Sequence, residues 1–167
     1  MYVGSPAQEV SLIFDTGSDW MTVESASCEN CRGLNFNEDA SSTFSFVGNS
    51  TSMREYGSAA LKGIEVKDRV CLLKDEQRNT GDVCLENFEW FLITHQAGIN
   101  ARIDGVLGLS RSIMAEEEQQ DESVRDIGPL LVNQLADQGV IESNLFSFHL
   151  VSEDQDNSIS FVDFGPV

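Results

Sequence analysis

A chain of 167 residues with 41% hydrophobic content and 3 prolines has the size and composition of one globular domain with a real core, which excludes a disordered chain. Its 10 basic and 28 acidic residues leave a formal net charge of −18, which disfavours nucleic acid and anionic membranes as partners. Such a charge suits work in acid, where protonation relieves self-repulsion, and equally suits plain solubility; no apolar run reaches the length of a membrane span.

In chain order, Met1 to Gln8 reads as the end of a strand followed by a turn at Gly4 to Pro6. Val10 to Phe14 is an apolar strand that ends on Asp15, with Thr16-Gly17-Ser18 directly behind. Buried strands rarely finish on a carboxylate, because removing a charge from water is costly unless partners receive it. Gly17 allows a tight turn behind Asp15, and the Thr16 and Ser18 hydroxyls can donate hydrogen bonds to orient it. Trp20 to Val23 continues as a strand, and the polar Glu24 to Ala40 reads as loop. Phe44 to Val47 and Ser52 to Tyr56 flank Gly48-Asn49, a hairpin turn. Asn49-Ser50-Thr51 in that turn is an N-glycosylation sequon.

Apolar residues alternate loosely from Ala59 to Leu73 and recur from Val83 to Thr94, around a charged turn at Lys74 to Asp82. Long antiparallel hairpins fit this pattern best. Val106 to Leu109 is a further strand, and Met114 to Asp126 a solvated acidic loop. Gly128-Pro129 opens a short helix through Leu130, Leu131, Leu135 and Ala136, and Gly139 stops it. Phe146 to Val151 and Ser158 to Phe164 close the chain as strands. The fold class is mainly β with one short helix.

Four cysteines allow three pairings. The spacing favours neighbours: a short loop closed by Cys28 and Cys31, and a hairpin clasped by Cys71 and Cys84. A zinc site would want a second close pair, and a redox Cys-x-x-Cys a nearby βαβ pattern. Two disulfides, and with them an oxidising compartment, are expected. Gly108-Leu109-Ser110-Arg111-Ser112 misses a nucleophile elbow at its fifth residue, and no phosphate-binding glycine loop is visible. His95 and His149 lie in strand-like apolar surroundings and read as satisfied structural histidines.

The run Phe14-Asp15-Thr16-Gly17-Ser18 resembles the active-site motif of the pepsin-like aspartic proteases. Gly4-Ser5-Pro6-Ala7-Gln8 is similar to the family's segment before that strand, and Ser41-Ser42-Thr43-Phe44 to its Ser-Ser-Thr-aromatic segment. Tyr56-Gly57-Ser58 resembles the flap, and Asp104-Gly105-Val106-Leu107-Gly108-Leu109 the segment that packs beneath the catalytic turn. These segments follow the family's order across nearly the whole chain.

The resemblance implies one lobe, residues 1–167, of the bilobal closed-barrel acid protease fold, with the C-terminal lobe missing as its partner. It implies an extended peptide or protein as substrate, and neither cofactor nor metal. The reaction needs a base to activate water and an acid to protonate the leaving nitrogen, which two adjacent carboxyls sharing a proton supply. Asp15 would be the first of that pair, Thr16, Gly17 and Ser18 its support, and Tyr56, Gly57 and Ser58 the flap over the cleft. Asp104 would be structural, so the second aspartate motif is absent.

Two departures touch the flap. Ala59 and Ala60 replace the usual Thr-Gly-Ser continuation. Thr22 stands roughly where many relatives carry a tryptophan that hydrogen-bonds the flap tyrosine, leaving Trp20 as its substitute or as core. The resemblance implies the secretory route, lysosomal, vacuolar or extracellular, with signal and prosegment upstream of Met1. The alternatives are a non-catalytic lobe that binds peptide or protein, and a homodimer like the retroviral proteases.

Overall fold

The computed structural model describes residues 1–33, 36–57, 59–73, 83–111, 128–152 and 159–166. The expected turn at Lys74 to Asp82, the acidic loop at Met114 to Asp126 and flap residue Ser58 lie outside them. Among the described residues no helix is long and apolar enough to cross a membrane.

The strands are β1 (Tyr2–Val3), β2 (Gln8–Glu9), β3 (Leu12–Asp15), β4 (Met21–Glu29), β5 (Ser45–Tyr56), β6 (Ala59–Leu73), β7 (Val83–Ala97) and β8 (Gly105–Gly108). After them come helix α1 (Leu131–Asp137) and strands β9 (Phe146–His149) and β10 (Phe161–Phe164). The first eight strands form one sheet in the order β2-β1-β6-β7-β4-β8-β3, with β5 on β6, and β9 pairs β10 separately. The sheet is curled as a half-barrel, consistent with one pepsin-like lobe.

The long hairpins are as the alternation foretold: β6 runs antiparallel to both β5 and β7. Cys71 faces Cys84 across β6 and β7 and is bonded to it; Cys28 is bonded to Cys31. The helix ends as expected from Gly139, whose φ of +71° only glycine adopts freely. Its N–H and that of Val140 donate to the carbonyls of Ala136 and Leu135, closing a Schellman cap.

Two expectations are corrected. Glu24 to Ala40 is not all loop, for β4 runs on to Glu29 and pairs with β7, Ser25 bridges Phe36, and Glu38–Ala40 is a 3-10 turn. The polarity misled because Glu24 is buried with one carboxylate oxygen bonded to backbone: its Oε2 accepts from the Arg32 and Gly33 N–H groups at 3.0 and 2.8 Å. Nor is Gly48-Asn49 a hairpin turn. Strand β5 continues through it, and the pairing shifts register between Phe46 and Thr51, so these residues bulge from an exposed edge.

The main core gathers Val3, Val10, Val23, Phe36, Val66, Trp90, Leu107 and Leu135 between sheet and helix. A second cluster of Trp20, Leu61, Phe91 and Ile93 lies toward the tip of the β5–β6 hairpin, with Tyr56 packed against it. The motif strand is less buried than its apolarity suggested. Ile13 is 47% and Phe14 41% exposed, and Phe148, Leu150 and Phe161 stand open beside Phe14 around a groove of about 750 Å³.

Candidate active site

Strand β3 carries Asp15 to the edge of a cleft because β8 holds it from the side. The two strands run parallel with Asp15 opposite Gly108, and β8 pairs antiparallel with β4 on its other edge. The chain therefore leaves the sheet at Asp15, turns through Thr16–Asp19 and re-enters at Met21 with β8 between its two arms. That turn is fixed by backbone bonds: Leu109 N–H donates to the Asp15 carbonyl at 2.7 Å, and Ser110 N–H to the Ser18 carbonyl at 2.8 Å. No side chain fits at Gly105 or Gly108. A Cβ there would lie 1.8 Å from the Thr22 carbonyl oxygen or 2.4 Å from the Asp19 carbonyl carbon.

The Asp15 carboxylate is half-buried, and its Oδ1 accepts from the Gly17 N–H at 2.9 Å. Sequence reasoning gave the bracing to the hydroxyls of Thr16 and Ser18. The bond made here comes from the Gly17 backbone, while Thr16 is exposed and Ser18 Oγ is buried without a hydrogen-bond partner among the described residues. Asp19 ties the turn to the helical segment, accepting from Gly128 N–H at 2.6 Å.

Across from Asp15, Met53, Arg54, Glu55, Tyr56 and Gly57 form the other wall of a cleft of about 570 Å³. Tyr56 ends β5 and Gly57, at φ +35°, begins the turn into β6. The flap tyrosine and the motif aspartate thus line one cleft. Asp104 has no part in it. It is 1% exposed, its Oδ2 accepts from Ser11 N–H at 2.7 Å, and its backbone joins Ser11 to Glu24.

Thr22 does not reach the flap; it is buried in β4, and its hydroxyl accepts from Val106 N–H at 3.2 Å. The histidines lie in strands, as read, but their surroundings are half-exposed or exposed rather than apolar. His95 is 45% exposed beside Glu29, and His149 is exposed and stacked on Phe161.

The family model described as eukaryotic aspartyl protease matches residues 1–167. The chain belongs to that family. It is 33% identical over 168 residues to a cathepsin E of Rattus norvegicus, covering 98% of this chain and 38% of that protein. A probable vacuolar protease A of Trichophyton verrucosum is 30% identical over 169 residues, again 98% of this chain and 38% of the relative. A cathepsin D of Dictyostelium discoideum is 33% identical over 157 residues, 89% of this chain and 36% of the relative. This aspartyl protease chain therefore spans little more than a third of these curated relatives.

Sequence reasoning missed two residues that this aspartyl protease fold depends on. Asp68, fully buried in β6, gathers Ser41 Oγ, Thr43 Oγ1 and the Arg69 N–H on one carboxylate oxygen, which pins the Ser-Ser-Thr segment to the sheet. Arg54, two residues before Tyr56 in β5, is 8% exposed and lies over the rings of Trp20 and Phe91. No local pattern announces either, since each is a charge among alternating strand residues.

Proposed function

We propose that this chain is the N-terminal lobe of an aspartic endopeptidase, with Asp15 one of two carboxyls that activate water against an extended peptide. The observation that carries the reading is Asp15 in a cleft whose opposite wall is Tyr56 and Gly57. An extended peptide fits such a trough, and the flap above it excludes water. Asp15 cannot serve alone. One carboxylate takes the proton from water and a second, protonated carboxyl must donate to the leaving nitrogen, the arrangement common to aspartic proteases.

The partner lobe supplies that second carboxyl in this reading. Its support is the share of the relatives that this chain spans and the open apolar face of Phe14, Phe148, Leu150 and Phe161. Two disulfides and relatives named as vacuolar proteases support passage through the secretory route. The test is peptide hydrolysis at acid pH by the full-length protein carrying this chain. Asp15→Asn abolishes it if Asp15 is half of the pair and leaves it intact if it is not.

A further inference from the structure

We infer that Arg54 is a positioning residue that fixes the flap over Asp15; the inference rests on the endopeptidase reading. The Arg54 guanidinium carbon is 4.6 Å from the Trp20 ring centroid and 4.8 Å from that of Phe91. Its Nη2 meets Glu65 Oε1 at 2.8 Å, and its Nη1 donates to Ser52 Oγ and the Met53 carbonyl, each at 3.2 Å. One side chain thus joins the flap strand β5 to Glu65 on β6, to Phe91 on β7 and to Trp20, which leads out of the catalytic turn.

A cation here is a costly filler. The surrounding cluster is Trp20, Leu61, Phe91 and Ile93, and an apolar side chain could occupy it without removing a charge from water. What the guanidinium adds is direction: a planar fork laid over two rings and bonded through both terminal nitrogens is held in orientation as an apolar side chain is not. The aromatic floor is itself fixed. Trp20 and Phe91 meet edge to face at 6.3 Å, and Gly128 lies so close that a Cβ there would come within 2.7 Å of the indole.

Tyr56 follows two residues after Arg54 and packs on the same cluster, and both line the cleft with Asp15. With the Thr22 hydroxyl engaged to β8, the flap strand is tied to the catalytic turn through Arg54 and Trp20.

The experiment is amide hydrogen exchange on the full-length protein, comparing residues 52–61 with β7 and β8. Arg54→Met keeps the volume and removes the cation. It should speed flap exchange roughly tenfold or more while β7 and β8 stay as they were. Arg54→Lys should recover part of that protection. Glu65→Gln, a milder change at a half-exposed position, should loosen the same segment by a smaller factor, and it serves if Arg54→Met does not fold. Unchanged flap exchange in the variants, or an equal rise in β7 and β8, overturns the inference. Peptide cleavage that survives Asp15→Asn would instead overturn the endopeptidase reading and leave the exchange result standing.

Discussion

Asp15 and Gly108 lie opposite one another in the parallel β3–β8 pairing, and the next residue along, Leu109, donates its N–H to the Asp15 carbonyl at 2.7 Å. The carboxylate therefore stands on backbone held from a neighbouring strand, and that strand can pack against the far arm of the turn, Asp19 and Trp20, because Gly108 has no side chain. Gly108→Ala would put a Cβ 2.4 Å from the Asp19 carbonyl carbon. The turn must move, at a cost of about 1–3 kcal/mol, and denaturant unfolding should register it. The same titration should find Gly48→Ala near neutral, since nothing lies within 4 Å of a Cβ there.

Asp68 carries a second prediction. Its removal in Asp68→Ala takes the buried acceptor away from the half-buried Ser41 hydroxyl, the exposed Thr43 hydroxyl and the half-buried Arg69 N–H. Water can reach these donors, so the expected loss is about 1–2 kcal/mol rather than a full burial penalty for each. A thermal melt measures it.

The two disulfides differ in what they constrain. Cys71–Cys84 closes a sequence separation of 13, Cys28–Cys31 only 3. Loop-closure entropy assigns about 3 kcal/mol to the first and about 2 kcal/mol to the second. Replacing Cys71 and Cys84 together by serine should therefore lower the unfolding midpoint by about half as much again as the same change at Cys28 and Cys31.

Asn49 lies in the exposed bulge of the edge strand, open to a glycosyltransferase. Protein secreted from eukaryotic cells should lose mass on treatment with an N-glycosidase. Asn49→Gln should abolish that loss and leave the melting temperature within about 1 °C, because a surface substitution of this kind shifts stability by less than about 0.5 kcal/mol.

The legibility of the chain follows its chemistry. The β3 strand, the β6–β7 hairpin, the helix and its Gly139 stop were readable because apolar spacing and glycine conformations are local properties. The cysteine pairs were readable because their partners are near in sequence. Strand β4 beyond Val23 was not, since Glu24 and Ser25 look like loop until Arg32 and Gly33 arrive to receive the buried carboxylate. The bulge at Gly48-Asn49 mimicked a turn because both use the same residues. That Asp15 and Tyr56 would line one cleft was legible from motif resemblance. The bond from Gly17 and the seating of Arg54 were not, because each depends on contacts made only after the strands have paired.

The central claim is that this lobe supplies one carboxyl of a catalytic pair. Its most direct measurement compares peptide hydrolysis at acid pH by this chain alone, by the chain joined to its partner lobe, and by the joined protein carrying Asp15→Asn. The account predicts cleavage by the joined protein only, lost by a factor of about 10³ or more in the Asp15→Asn variant. Cleavage that survives Asp15→Asn would contradict it.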